Sequence, residues 1–250
     1  MKLIASDFDG TFTYGGVDEA RRQAVMDWRN AGNKFGLVSG RSVSFLPEKF
    51  NGYGIPYDFF IGNNGAVGTD GQGKILWRKT FSGSQAAPVL KFLVENGMPE
   101  CYLTTDSILS LEIPGHETGR PPVSLEEAAR IPELLQVSAF MTTPEEAAVL
   151  TRKLQAEFSE ILNPLLNGRV IDIVAAGVDK AAGIRKLLEF WDMEEESVIA
   201  VGDNVNDRDM IREFNAYAME NGVEEIKTLA GKVTSNVTYM IRKELAADQM

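Results

Sequence analysis

The short apolar run Leu3-Ile4-Ala5 feeds straight into Asp7-Phe8-Asp9-Gly10-Thr11, and this junction constrains the chain more than any other. A run of that length reads as a buried strand, and it ends in two carboxylates. Alternation places the side chains of Asp7 and Asp9 on one side while the strand persists, and Gly10 permits a sharp exit that lets both reach one pocket. Two acids so close repel unless one is protonated or a cation bridges them. No Cys or His stands nearby, so the expected ion is a hard, oxygen-preferring one such as Mg²⁺. Alone, the same residues also suit a plain Asp-Gly turn. Later segments decide between the two readings.

The spacing of Val17, Ala20, Ala24, Val25 and Trp28, stopped by Gly32, predicts a helix over 17–30. A second strand over 34–38 ends in Ser39-Gly40-Arg41. A strand, crossover helix and strand of this length pair in parallel, which brings both strand ends to one sheet edge. Ser39 is therefore expected beside Asp7. A helix over 42–50 and a third strand over 57–61 follow, ending in Gly62-Asn63-Asn64-Gly65-Ala66, a positive-φ turn signal read as structural. Residues 66–69 and 74–80 then read as a hairpin around Asp70-Gly71-Gln72-Gly73.

Near Ser82 the α/β alternation stops. Helices over 85–95 and 144–158 and strands over 101–105, 108–113, 136–141, 161–166 and 169–174 surround a Pro- and Gly-rich loop at 114–122. Helices grouped with antiparallel strands suggest a small α+β layer lying over the first domain. The sheet pattern resumes with Gly177-Val178-Asp179-Lys180, a helix to about 191, and a strand over 197–201 that ends in Gly202-Asp203-Asn204-Val205-Asn206-Asp207. The expected fold is α/β. Residues 1–82 and 174–250 would form a Rossmann-like, doubly wound, mostly parallel sheet, with 83–173 inserted as an α+β cap domain.

A net charge of -11 argues against broad binding to nucleic acid or to an anionic membrane, since both need a basic surface. No apolar run approaches the roughly 20 residues needed to span a bilayer. The single cysteine, Cys101, cannot form an internal disulfide and is expected to be an inert packed thiol, which suits a reducing cytosol. A cytoplasmic protein, monomeric or weakly homo-oligomeric, with a small-molecule ligand, is the expectation.

Four segments in order, Asp7–Thr11, Ser39–Arg41, Asp179-Lys180 and Gly202–Asp207, resemble the motifs of the haloacid dehalogenase-like phosphatases. The Gly62–Ala66 turn, the Gly-Val-Asp-Lys at 177–180 and the Val-Thr-Ser-Asn at 233–236 further resemble the Cof-type branch. The resemblance implies that Asp7 is the nucleophile, forming an aspartyl-phosphate. It implies that Asp9 protonates the leaving oxygen and later, as base, activates water. Mg²⁺ would be held by Asp7, by Asp9 through its backbone carbonyl with the side chain left free, and by Asp203. Ser39, Gly40, Lys180 and Asn206 would bind the phosphoryl group, with Thr11 in support and Asp207 orienting Lys180 or a metal-bound water. Plain readings stand beside these: Ser39 as a helix cap, Lys180 as a solvated lysine.

Two positions depart from the family pattern. Phe12 stands where Leu is usual, and Asp179 stands where Ser or Thr often precedes the motif lysine. Thirty positions separate Asp9 from Ser39 and 141 separate Ser39 from Lys180, so the cap falls in the second interval. Within it, His116 and Arg120 are candidates for choosing the substrate. The resemblance implies a phosphomonoester hydrolase acting on small phosphorylated metabolites, with sugar phosphates the favoured class. A sugar phosphomutase and a phosphorylation-dependent regulatory protein are the alternatives.

Overall fold

The computed structural model describes residues 1–45 and 50–247. It divides into two compact units, Met1–Trp77 with Lys180–Met250, and Arg78–Asp179.

The first unit is built on an eight-stranded sheet. Its first half comprises β1 (Leu3–Ser6), α1 (Glu19–Asn30), β2 (Lys34–Val38), β3 (Phe59–Gly62), β4 (Val67–Asp70) and β5 (Ile75–Arg78). For the second half, the elements are numbered on after those of the other unit: α5 (Lys180–Trp191), β12 (Val198–Gly202), α6 (Arg208–Glu213), β13 (Asn215–Met219), α7 (Glu224–Ala230), β14 (Val233–Thr234) and α8 (Val237–Ala247). The sheet order is β14-β13-β12-β1-β2-β3-β4-β5. Strand β1 pairs in parallel with both β12 and β2. The chain therefore winds outward in both directions from β1, and the strand ends beside β1 lie where such sheets bind ligands.

Both faces of the sheet are covered, which is why its central strands are apolar throughout rather than alternating. Ile4, Phe35, Leu37, Phe60, Ile199 and Val201 face a core shared with Trp28 of α1 and Met240 of α8. Leu3, Ala5, Phe59, Ile61, Val198 and Ala200 face the opposite core with Ile184 and Leu187 of α5 and Met210 of α6. Each large side chain so buried contributes about 1.5–3 kcal/mol.

Two expected boundaries move for identifiable reasons. Helix α1 starts at Glu19, not at residue 17, because Asp18 caps it, its carboxylate accepting the Arg21 N–H at 2.9 Å. Strand β3 starts at Phe59 because the Asp58 carboxylate takes the Phe35 N–H at 3.0 Å before the ladder begins. The helix expected over 42–50 falls in part on residues 46–49, outside the described residues.

The second unit contains α2 (Gly83–Glu95), β6 (Glu100–Thr104), β7 (Ile108–Leu111), β8 (Pro122–Val123), α3 (Leu125–Ala128), β9 (Gln136–Phe140), α4 (Pro144–Phe158), β10 (Leu162–Asn167) and β11 (Val170–Ala175). Its sheet order is β10-β11-β9-β6-β7-β8, antiparallel except for the last pair. Cys101, Leu103, Val137, Ala139, Ile171 and Ile173 are buried. Helix α4 packs on β10 and β11. Capping boxes, Ser82 with Gln85 and Thr143 with Glu146, start the two long helices of this unit. Burial pushes the Cys101 thiol up, as expected of an inert packed thiol. Among the described residues, no helix is long and apolar enough to cross a membrane.

Candidate active site

The first unit gathers its polar chemistry at the carboxyl ends of β1, β2, β3 and β12. The Asp7 N–H donates to the Val201 carbonyl at 2.9 Å, so the β1 to β12 pairing continues one residue beyond the strand and fixes the start of the Asp7 side chain. A tight turn over Phe8–Phe12 follows, with Gly10 at φ 78°. A Cβ at Gly10 would stand 2.5 Å from a carboxylate oxygen of Asp203, so this glycine supplies both the turn and the close approach of the two loops. Buried Arg21 holds the exit of the turn, donating to the carbonyls of Phe12 and, at 3.0 Å, Tyr14.

At the centre lies the Lys180 ammonium, its side chain fully buried. It donates to Asp7 Oδ1 at 2.6 Å and to Asp207 Oδ1 at 2.5 Å. The other Asp207 oxygen accepts the backbone N–H groups of Asp203 and Asn204 at 2.9 and 3.0 Å. Asp207 thus orients Lys180 and closes the β12 loop at once. Gly202 makes room for it, since a Cβ there would stand 2.5 Å from Asp207 Cγ. Asp203 accepts from the Thr11 hydroxyl at 2.5 Å, which links the β12 loop to the first turn. The loop after β13 braces both sides: Asn221 donates to the Gly10 carbonyl and the Val223 N–H to the Asp203 carbonyl, each at 2.9 Å.

Electrostatics follow from burial. Desolvation raises Asp7 well above the usual carboxylate range; Lys180 opposes the rise, while Asp207 and Asp203 add to it. Burial likewise pushes Asp203 up to about 6. Burial alone would pull Lys180 down, but Asp207 and Asp7 outweigh it and the ammonium is held charged.

Ser39 is buried at the end of β2, its N–H on the Ile61 carbonyl at 2.8 Å and its hydroxyl accepting the Arg41 N–H at 3.2 Å. Half-buried Gly40 sits between them. Asn206 donates to Asn64 Oδ1 at 3.5 Å, a long contact across two strand ends. Asn63, buried at φ 51°, makes no side-chain hydrogen bond among the described residues, a loss of about 1–3 kcal/mol in a buried amide.

Sequence reasoning left the Asp9 side chain free and passed over Arg41. In the structure, the Arg41 guanidinium donates Nε to Asp9 Oδ2 at 2.5 Å and Nη2 to Asp9 Oδ1 at 2.9 Å. The position of Arg41, directly after the Ser-Gly at a strand end, was the available signal. His116 and Arg120 belong to the second unit, where they line a cleft of about 1000 Å³ with Ser110, Glu112 and Thr118. There His116 Nε2 lies 3.6 Å from Glu100 Oε2.

Oxygens of Asp7, Asp203 and Asp207 lie within 4.8 Å of one another. Three carboxylates meet one ammonium, so full ionisation would leave two negative charges unbalanced, which adds to the rise that burial gives Asp7 and Asp203. An all-oxygen donor set with that excess fits a hard divalent cation. Asp207 is already committed to Lys180 and two backbone amides, so Asp7 and Asp203 are the side chains best placed to hold the ion.

A doubly wound α/β sheet thus gathers a carboxylate, a buried lysine and further aspartates at adjoining strand ends. The chain belongs to the haloacid dehalogenase-like hydrolases, whose family profile matches residues 4–239, and within them to the Cof-type phosphatases. It is 23% identical to a 5-amino-6-(5-phospho-D-ribitylamino)uracil phosphatase of Escherichia coli K12, over 88% of this chain and 86% of that one. It is 25% identical to a phosphoglycolate phosphatase of Picrophilus torridus, over 94% and 85%. The solved structure of a subclass IIB sugar phosphatase, BT4131, superposes with a TM-score of 0.80 at 20% identity, covering 98% of this chain and 99% of that one. That last likeness is one of fold.

Proposed function

We propose that this chain is a cytoplasmic, Mg²⁺-dependent phosphomonoester hydrolase that acts on small phosphorylated metabolites, sugar phosphates in particular, through an aspartyl-phosphate on Asp7. The observation that carries the reading is the buried Lys180 held between Asp7 and Asp207 with Asp203 alongside. Such an arrangement opposes the protonation that burial favours at a nucleophilic carboxylate.

In this reading one oxygen of Asp7 bonds to phosphorus as the ester oxygen departs, taking a proton from Asp9. Water then attacks phosphorus, giving its proton to Asp9, while the bond from phosphorus to Asp7 breaks and inorganic phosphate leaves. Lys180, committed by two short hydrogen bonds, acts through its charge rather than by proton transfer. The Ser39 hydroxyl, the Gly40 N–H and the Asn206 amide are the donors proposed for the phosphoryl oxygens. Asp7, Asp203 and the Asp9 carbonyl would hold Mg²⁺, which would supply charge neutralisation for the transferring group. The first unit would carry the chemistry, and residues 83–173, with His116 and Arg120, would select the substrate.

The test is turnover of p-nitrophenyl phosphate and of a panel of sugar phosphates, with and without EDTA. Asp7→Asn is expected to abolish turnover and to leave the fold intact, and chelation to suppress it. Near-normal rates in Asp7→Asn would remove Asp7 from the mechanism, and rates indifferent to EDTA would remove the metal. Changing His116 or Arg120 to Ala should lower kcat/KM for the preferred sugar phosphate and spare the small substrate. Equal loss on both substrates would make the loop part of the chemistry.

A further inference from the structure

The contact between Arg41 and Asp9 lies outside the four motif roles and is more specific than a surface ion pair. Both carboxylate oxygens of Asp9 are taken by one guanidinium, through Nε and Nη2, so the acid is held in direction as well as in position. The guanidinium is itself held. Its Cζ lies 4.6 Å from the centroid of the Phe45 ring, and its backbone is pinned on both sides, the N–H on the Ser39 hydroxyl and the carbonyl accepting the Asn63 N–H at 2.9 Å. Gly62 is part of the same support, because a Cβ there would meet the Arg41 carbonyl at 2.8 Å. The hydrogen bond to Asp9 raises the Arg41 guanidinium further, and the charge of Asp7 acts in the same direction. Among the described residues Asp9 has no comparable restraint of its own: its side chain is 52% exposed and extends from a turn residue with φ -81° and ψ 125°.

We propose that Arg41 is a positioning residue for Asp9, fixing the direction in which that carboxylate faces the ester oxygen and the attacking water. The inference rests on the proposed acid and base role of Asp9. A fork that meets both oxygens removes the rotational freedom of a half-exposed carboxylate, whereas lysine, a point charge, cannot. Arg41 therefore acts on the chemical step and not on substrate affinity.

The experiment compares wild type, Arg41→Ala, Arg41→Lys, Asp9→Asn and the Arg41→Ala/Asp9→Asn double variant on the best sugar phosphate of the panel, with melting temperature as the control for folding. Proton transfer by a placed side chain is worth about 10²–10⁴ in rate, so losing its placement should lower kcat by about tenfold to a hundredfold, with KM within about twofold of wild type. The double variant should be no slower than Asp9→Asn alone, since residues that act as a unit are non-additive. Arg41→Lys should recover only part of the loss. If the double variant is slower than Asp9→Asn by the full factor that Arg41→Ala shows alone, Arg41 acts independently of Asp9 and the inference is overturned. An Arg41→Ala enzyme with wild-type kcat would reduce the contact to a surface ion pair and overturn it equally. A wild-type chain that turns over none of the panel would overturn the functional reading first, and this inference with it.

Discussion

Two contacts between a cation and a carboxylate sit at the same sheet edge and differ in almost every physical respect. Lys180 is completely buried between Asp7 and Asp207, while Arg41 and Asp9 meet with side chains 42% and 52% exposed. Removing one partner of a buried pair strands a charge without solvent and costs about 3–5 kcal/mol, whereas a surface pair is worth about 0–1 kcal/mol. The buried contact is accordingly expected to contribute more to stability than the exposed one, whose effect is one of direction. On the proposed chemistry this division is useful: the nucleophile needs a permanent counter-charge, and the proton carrier needs a fixed direction while staying open to substrate and water.

The largest effect should come from breaking the buried contact. Lys180→Met leaves Asp7 and Asp207 facing each other without their ammonium. Unfolding by urea at pH 7 should show a loss of about 3–5 kcal/mol, together with loss of turnover. Adding Asp207→Asn to that variant should restore part of the stability and none of the activity. A Lys180→Met protein with an unchanged urea midpoint would show that the ammonium does not balance these acids.

A smaller effect is expected where the space around the buried contact is filled. Gly202→Ala puts a methyl group 2.5 Å from Asp207 Cγ, and the carboxylate must move off Lys180 or off the backbone amides it accepts. Overpacking of this kind costs about 1–3 kcal/mol. The control lies on the same sheet edge but on open ground: Gly15→Asn, at a positive φ that Asn tolerates and with no atom near the added Cβ, should cost far less. Equal losses in the two variants would mean that the Gly202 contact relaxes freely.

The same contrast explains what could be read in advance. Buried contacts announce themselves through strand ends: Leu3–Ser6 and Val198–Gly202 are apolar runs that stop at acids, and parallel pairing brings those ends together. Lys180 was legible because it opens a helix at the same edge. The Arg41 to Asp9 contact was not, because an arginine after Ser-Gly reads as solvated, and only the folded loop shows its fork aimed 32 positions back along the chain. Nor was the strand order of the second unit legible. Strand β9 enters between β11 and β6, and nothing in the alternation of residues 136–140 distinguishes a central place from an edge. Asn63 was read as a turn residue, and its φ of 51° agrees, but the turn pattern carries no sign that its amide would be buried without a partner among the described residues.

The smallest effect concerns Asp203, which is partly buried, hydrogen-bonded to Thr11 and within the field of both Lys180 and Asp9. Burial lifts its carboxyl to about 6; the Thr11 hydrogen bond opposes this, and Asp207 adds to it. An unfolded Asp titrates near 3.9. Between about pH 4 and pH 6 the folded chain therefore binds more protons at this site than the unfolded chain. The stability this gives is fully present below about pH 4 and is lost as pH rises through 6. Asp203→Asn cannot ionise and escapes that loss. In metal-free buffer it should melt close to wild type at pH 4 and measurably above it at pH 7. On the proposed metal role, adding Mg²⁺ at pH 7 should reverse the order, because an ion bound by the folded chain raises the wild-type melting temperature with ln(1 + [Mg²⁺]/Kd) and would have lost a ligand in the variant. Thermal melts at the two pH values, with and without Mg²⁺, read all four corners of this comparison. If Asp203→Asn melts below wild type at pH 7 without metal, the Thr11 hydrogen bond outweighs burial, and Asp203 belongs energetically with the fixed, compensated acids rather than with the site that calls for a cation.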